Sequence, residues 1–156
     1  MKDLDWSNLS FGYRQTDYNV RCYYRDGKWG EIEVCSDEYL KLHMAATCLH
    51  YGQEAFEGLK AYRCPDGKVR VFRMDENAKR LQSTCRGILM PEVPTEMFEE
   101  MVKKVVRLNQ EWIPTYESGA TLYIRPLLIG TSAQVGVHPS KEYCFLIFVT
   151  PVGPYV

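Results

Sequence analysis

Gly58-Leu59-Lys60-Ala61-Tyr62-Arg63-Cys64-Pro65-Asp66-Gly67-Lys68-Val69-Arg70-Val71-Phe72-Arg73 is the stretch whose reading decides the fold. Two strand-like runs flank Pro65-Asp66-Gly67, where proline presets one turn dihedral and glycine accepts a positive one, so the stretch reads as a β-hairpin. Val69 and Val71 alternate with Arg70 and Phe72, the two-residue period of a half-buried strand. Upstream, Val20 to Arg25 and Lys28 to Val34 enclose Asp26-Gly27, which reads as a second hairpin. Two hairpins this early imply an antiparallel sheet.

Between the hairpins, Leu49-His50-Tyr51-Gly52-Gln53-Glu54-Ala55-Phe56-Glu57-Gly58-Leu59-Lys60-Ala61-Tyr62 mixes aromatic, acidic and glycine residues without a simple period. Gly52 and Gly58 mark places where the backbone takes an unusual dihedral or approaches another body closely. Tyr51, Phe56 and Tyr62 put rings beside those openings, so the stretch reads as a wall built around something.

The chain has 156 residues, 46% of them apolar and 25% charged, with a formal charge of -1. That length suits one domain able to bury roughly 68–70% of its unfolded surface. Near-zero charge gives no field to attract nucleic acid or an anionic membrane, and neither partner is expected. No apolar run reaches membrane-span length and the start at Met1 lacks a signal-peptide pattern, so the expected location is cytoplasmic. Six cysteines at 22, 35, 48, 64, 85 and 144 form no Cys-x-x-Cys pair, and they read as reduced, mostly core thiols. His43, His50 and His138 are scattered, and no metal site is expected.

From Asp75, read as a cap, the pattern turns helical, with Ala78, Leu81 and Cys85 as an apolar stripe that Gly87 ends. A second helix follows Pro94, capped by Thr95, with an apolar face of Phe98, Met101, Val102, Val105, Leu108 and Trp112, and Pro114 terminates it. Ala120 to Ile129 reads as a strand in which Pro126 implies an edge position or a bulge. Tyr123 and Arg125 share one face of that strand. Residues 130–141 read as a polar loop, and Tyr143 to Val149, apolar on both faces, as a strand covered on both sides. Pro151 to Val156 reads as the start of a linker. The expected fold class is α+β, a mostly antiparallel sheet with helices packed on it.

Arg125 is a guanidinium inside an apolar strand, and the cost of an unpaired buried charge requires it to face either a carboxylate of the protein or an anionic ligand. Arg80 is either a solvated helix residue or a phosphate contact worth about 1.5–3 kcal/mol. Tyr51, Phe56, Tyr62 and Tyr123 line an apolar ligand pocket or serve as ordinary sheet aromatics. No Ser-His-Asp set, phosphate-cradling glycine loop or paired carboxylates are legible.

Leu49-His50-Tyr51-Gly52, Phe56-Glu57-Gly58-Leu59-Lys60-Ala61-Tyr62, Leu122-Tyr123-Ile124-Arg125-Pro126, Gly136-Val137 and Pro151-Val152-Gly153-Pro154-Tyr155, in this order, resemble the branched-chain amino-acid aminotransferases, fold-type IV pyridoxal-phosphate enzymes. The resemblance runs from about Phe11-Gly12 to the last residue. It implies exchange of an amino group between leucine, isoleucine or valine and 2-oxoglutarate, with glutamate and the branched-chain 2-oxo acids as products, on pyridoxal 5'-phosphate. It makes Arg80 the small-domain arginine that binds the cofactor phosphate. Tyr51 and Phe56, with Phe11, become walls of the substrate side-chain pocket. Tyr123 and Arg125 resemble a Tyr-x-Arg pair that orients the substrate carboxylate. Val137 resembles an apolar loop residue that reaches the neighbouring subunit's pocket, implying a homodimer, and Tyr155 a linker residue that closes over the substrate.

The same resemblance places the Schiff-base lysine in a larger C-terminal domain, and none of Lys60, Lys68, Lys79 or Lys141 matches its motif. No catalytic residue is therefore assigned within these residues. The chain is expected to comprise an N-terminal small domain over residues 1–150 and the start of an interdomain linker over 151–156, inactive by itself. Two alternatives stand beside this reading: a related fold-type IV enzyme, a D-amino-acid transaminase or aminodeoxychorismate lyase, and a non-enzymatic binding or assembly module.

Overall fold

The computed structural model describes residues 1–153. The first hairpin joins β1 (Asn19–Arg25) to β2 (Lys28–Trp29) through Asp26 and Gly27, both at positive φ, 54° and 77°. That is the primed geometry whose twist matches the flanking strands. The returning arm is broken where one run to Val34 is expected: β2 pairs with Tyr24 and Arg25, while β3 (Glu33–Cys35) pairs with Asn19 to Arg21. The second hairpin joins β5 (Leu59–Arg63) to β6 (Val69–Val71), as its turn triplet predicts, and upstream of it the chain forms α1 (Thr47–Tyr51) and β4 (Glu54–Phe56). Two longer helices, α2 (Met74–Gly87) and α3 (Thr95–Leu108), precede the long strands β7 (Thr121–Gly130) and β8 (Tyr143–Val152).

Among the described residues all strands join one antiparallel sheet in the order β2-β1-β8-β7-β5-β6, with β3 extending the β1 edge and β4 pairing with β7. The β7–β8 ladder, from Thr121 opposite Val152 to Gly130 opposite Tyr143, is its spine. Alternation sorts the side chains. Leu122, Ile124 and Leu128 of β7 and Phe145, Ile147 and Val149 of β8 join a core with Leu81, Phe98, Met101, Val102 and Val105 of the helices. On the opposite face Ile129, Cys144 and Leu146 pack with Leu127, Phe148, Leu40 and Leu42. The apolar run from Tyr143 is thus covered on both sides, as its lack of period predicts. Pro151 and Val152 pair with Leu122 and Thr121 and so extend β8.

Pro126 corrects an expectation. The strand is central rather than an edge, and Pro126 pairs with Ile147 on the β8 side. On the other side β7 changes partner, from β5 at Leu122–Ile124 to β4 at Leu127–Ile129. The Pro126 carbonyl there accepts the Glu57 N–H at 3.0 Å. Because N and O of one strand residue point the same way, the absent N–H faces the gap between β4 and β5, where no ladder bond is lost.

The helix boundaries also differ from expectation. Arg73, in the left-handed region at φ 51°, turns the chain straight into α2, so Asp75 lies inside the first turn with Glu76 and does not cap it. At α3 the N-cap is Pro94, and the Thr95 hydroxyl instead accepts a bond from Gln82 Nε2 at 3.1 Å, tying the two helices together. The α3 helix stops at Leu108, well before Pro114, because buried Asn109 leaves the helical path. Its amide accepts from the Asp17 and Tyr18 N–H groups and donates to the Tyr18 and Val105 carbonyls, anchoring the N-terminal segment to the helix end. Arg21 ties residues 37–39 across the other face through the Asp37 and Tyr39 carbonyls. Among the described residues no helix is long and apolar enough to cross a membrane.

This packing has two measurable consequences. Asn109→Ala strands the backbone groups that its amide serves, some of them buried, and should destabilise the chain by about 2–4 kcal/mol in chemical denaturation, judged from the cost of unsatisfied buried groups. The six cysteines are free, with Cys22, Cys85 and Cys144 buried, and desolvation pushes the thiols of Cys85 and Cys144 up to about 11. A folded-state value above the unfolded one means that stability is fully present below about pH 9 and declines as pH rises towards 11. Titration with a thiol reagent at about pH 8 should modify the half-buried Cys35 and Cys64 first, Cys48, whose thiol burial pushes up, more slowly, and the buried three only on unfolding.

Candidate functional site

The gap between β4 and β5 is where the polar chemistry gathers. Phe56 and Glu57 are neighbours in the chain, and their side chains serve different arginines. The Phe56 ring lies 4.5 Å from the Arg125 guanidinium carbon, while the Glu57 carboxylate takes Arg80 from α2.

Arg125 lies on the sheet face away from the helices, as its alternation with Ile124 requires. Its Nε and Nη2 donate to the Tyr123 hydroxyl at 3.1 and 2.9 Å, and the Tyr123 ring centroid is 5.2 Å away. Among the described residues no carboxylate pairs with it. A phenol oxygen and two ring faces compensate a guanidinium only partly, and the protein carboxylate, one of the two sequence alternatives, is absent among the described residues. Phe11 packs edge-on against Tyr123, centroids 5.4 Å apart. With Phe148, Thr150 and Val152 these residues line a cavity of about 180 Å³. A larger hollow of about 370 Å³ beside it is lined by Tyr13, Arg21, Glu38 and Tyr39. Its arginine is already committed to backbone carbonyls, so the smaller cavity has the open cation. Gly58 makes the arrangement possible: a Cβ there would come within 2.8 Å of the Tyr123 hydroxyl.

Arg80 pairs with Glu57 through Nε to Oε1 and Oε2 at 3.0 and 3.1 Å and through Nη2 to Oε1 at 2.7 Å. The carboxylate also accepts from Asn77 Nδ2 at 2.9 Å, one turn earlier on α2. Glu57 is 5% exposed and Arg80 68% exposed, so a buried anion holds a guanidinium whose outer side meets solvent. Those hydrogen bonds and the Glu57 charge raise the Arg80 pKa above its ordinary value.

The structure brings together Phe11, Phe56, Tyr123 and Arg125, whereas Arg80 pairs with Glu57 on the helix side. Tyr51 stands apart on α1, its hydroxyl donating to the Val135 carbonyl of the 131–142 loop, where Val137 is 85% exposed. Tyr155 lies outside the described residues. Sequence reasoning missed Glu57 as a site residue, although an acid between an aromatic and a glycine at a strand break is a legible signal.

No protein-family model matches the chain. The branched-chain-amino-acid aminotransferase of Haemophilus influenzae is 52% identical over 155 residues, 99% of this chain and 45% of that protein. Its counterpart in Helicobacter pylori is 46% identical over 99% of this chain and 46% of its own length. Among solved structures, the branched-chain amino acid aminotransferase from Escherichia coli has a TM-score of 0.62 at 27% identity, over 87% of this chain and 41% of that one. Another branched-chain amino acid aminotransferase, solved with pyridoxamine 5'-phosphate, has a TM-score of 0.64 at 26% identity, over 86% and 41% respectively. The chain thus spans less than half the length of these relatives.

The Gly58–Tyr123 approach is testable without any ligand. Gly58→Ala should cost about 1–3 kcal/mol in chemical denaturation, as overpacking does, and clearly less in a Tyr123→Phe background, where the opposing oxygen is gone. Equal costs in both backgrounds would show that the hydroxyl is not what Gly58 accommodates.

Proposed function

We propose, from the premise that this chain carries the N-terminal small domain of the branched-chain aminotransferase family, that the complete protein transfers amino groups between leucine, isoleucine or valine and 2-oxoglutarate. The observation that carries this reading is Arg125: a guanidinium in an aromatic cavity, without a carboxylate partner among the described residues. An amino acid or 2-oxo acid would supply the missing anion, and the rings of Phe56 and Phe11 would supply apolar surface for an aliphatic side chain.

The residues present also suit pyridoxal 5'-phosphate as the cofactor. Arg80 is exposed on its outer side, oriented on its inner side, and keeps N–H donors for a phosphate. When bound, the cofactor supplies the carbonyl and the electron sink that make amino-group exchange possible. Arg80 would hold its phosphate. Arg125 and Tyr123 would fix the substrate carboxylate, and Tyr123, held by two bonds from Arg125, keeps its own O–H free to donate. Tyr51 and Val137, on α1 and the 131–142 loop, would complete the substrate pocket, Val137 that of a neighbouring subunit in a homodimer. Tyr155 would belong to a linker that follows β8 and closes over the substrate. The lysine that carries the covalent and proton-transfer steps would lie in the part of the relatives that this chain does not span.

A substrate panel on the complete protein tests the assignment. L-Leucine, L-isoleucine and L-valine should serve as amino donors to 2-oxoglutarate; turnover of D-alanine in their place would favour a D-amino-acid transaminase. Arg125→Leu should lower kcat/KM by about 10- to 100-fold, the value of a charge-assisted bond, with little change in melting temperature. The 156-residue chain alone should show no turnover of leucine with added cofactor, and activity there would overturn the placement of the lysine.

A further inference from the structure

Glu57 is buried, makes no contact with Arg125 or the aromatic cavity among the described residues, and is not a group that would touch substrate. Its position is nonetheless tightly specified. Its backbone N–H is fixed by the Pro126 carbonyl at the β4–β5 gap. Its Oε1 accepts from Asn77 Nδ2 at 2.9 Å, Arg80 Nε at 3.0 Å and Arg80 Nη2 at 2.7 Å, and its Oε2 from Nε at 3.1 Å. A long, 68% exposed arginine would otherwise sample many rotamers.

We infer that Glu57 is the positioning residue for the anion-binding arginine: it locks Arg80 by its Nε edge so that the remaining guanidinium N–H groups form a preset receptor for a phosphate monoester. The contacts to Glu57 use the Nε–H and one Nη2 N–H of the five a guanidinium carries, leaving the Nη1 edge directed away from the carboxylate. Such anchoring removes rotamer entropy before the anion arrives. It also places a negative charge behind the arginine, which works against phosphate affinity. The contact pattern decides between these effects. Three of the four bonds fall on one oxygen, so an amide that keeps an oxygen there retains the anchoring while deleting the charge.

This inference rests on the reading of Arg80 as the phosphate ligand, and the experiment separates the two. In the complete protein stripped of cofactor, pyridoxal 5'-phosphate and phosphate-free pyridoxal are titrated by quenching of tryptophan fluorescence. The ratio of their Kd values is the phosphate preference. Glu57→Ala should lower that preference by about tenfold, as loss of a charge-assisted support does, with pyridoxal affinity unchanged. Glu57→Gln should keep most of it, and Glu57→Ala with Arg80→Ala should be no worse than Arg80→Ala alone. Should the alanine variant fold poorly, Glu57→Asp keeps the buried charge but withdraws it from Arg80 and should lower the preference likewise. An unchanged preference in the Ala and Asp variants, or equal weakening of both aldehydes, would overturn the inference. Retention of the preference by Arg80→Ala would instead remove the reading beneath it.

Discussion

The β7–β8 ladder is the constraint on which the other elements depend. Two strands paired along their whole lengths, β8 apolar on both sides and β7 apolar towards the helices, require cover on two faces. The helices α2 and α3 supply one cover, and residues from the 37–42 segment with Leu127 and Phe148 supply the other. The period of two then leaves no choice about Arg125: with Ile124 in the helix-side core, the guanidinium must emerge on the opposite face.

The site grows from a discontinuity in that order. At the middle of β7 the neighbouring strand changes from β5 to β4, and residues 56–58 bridge the change. One gap accommodates three features that a regular ladder would forbid: a proline in a central strand, a glycine under a tyrosine hydroxyl, and a buried carboxylate turned towards a helix. Phe56 and Glu57 reach different arginines because adjacent residues of an extended chain point to opposite faces, Phe56 to the side of Leu127 and Arg125 and Glu57 to the side of α2. A local loss of backbone pairing is thereby converted into two cation sites, one with an aromatic cavity and one with an ion pair.

Much of this is legible in the residues. The hairpin turns, the apolar faces of α2 and α3, and the covered strand at Tyr143 all follow from periodicity and turn chemistry, because burial on one or both faces leaves a direct mark on residue choice. The helix ends do not. Asp75 and Thr95 are sound caps by composition, yet the αL turn at Arg73 and the bond from Gln82 to Thr95 take those roles away. Pro126 escapes the rule against central prolines because that rule assumes a neighbour needing its N–H.

Residue order and local period are enough to set the antiparallel class, the two-sided burial of β8 and the shared face of Tyr123 and Arg125, while the family resemblance rests on the ordered motifs themselves. Three features come instead from the packed chain: Arg125 lacks a carboxylate partner among the described residues, Gly58 makes room for the Tyr123 hydroxyl, and Glu57 holds Arg80. The last two are contacts between elements far apart in sequence, Glu57 with Arg80 on α2 and Gly58 with Tyr123 on β7. Pairings at such separations leave no period in the chain, because what fixes them is the packing of a helix and a strand break against one sheet.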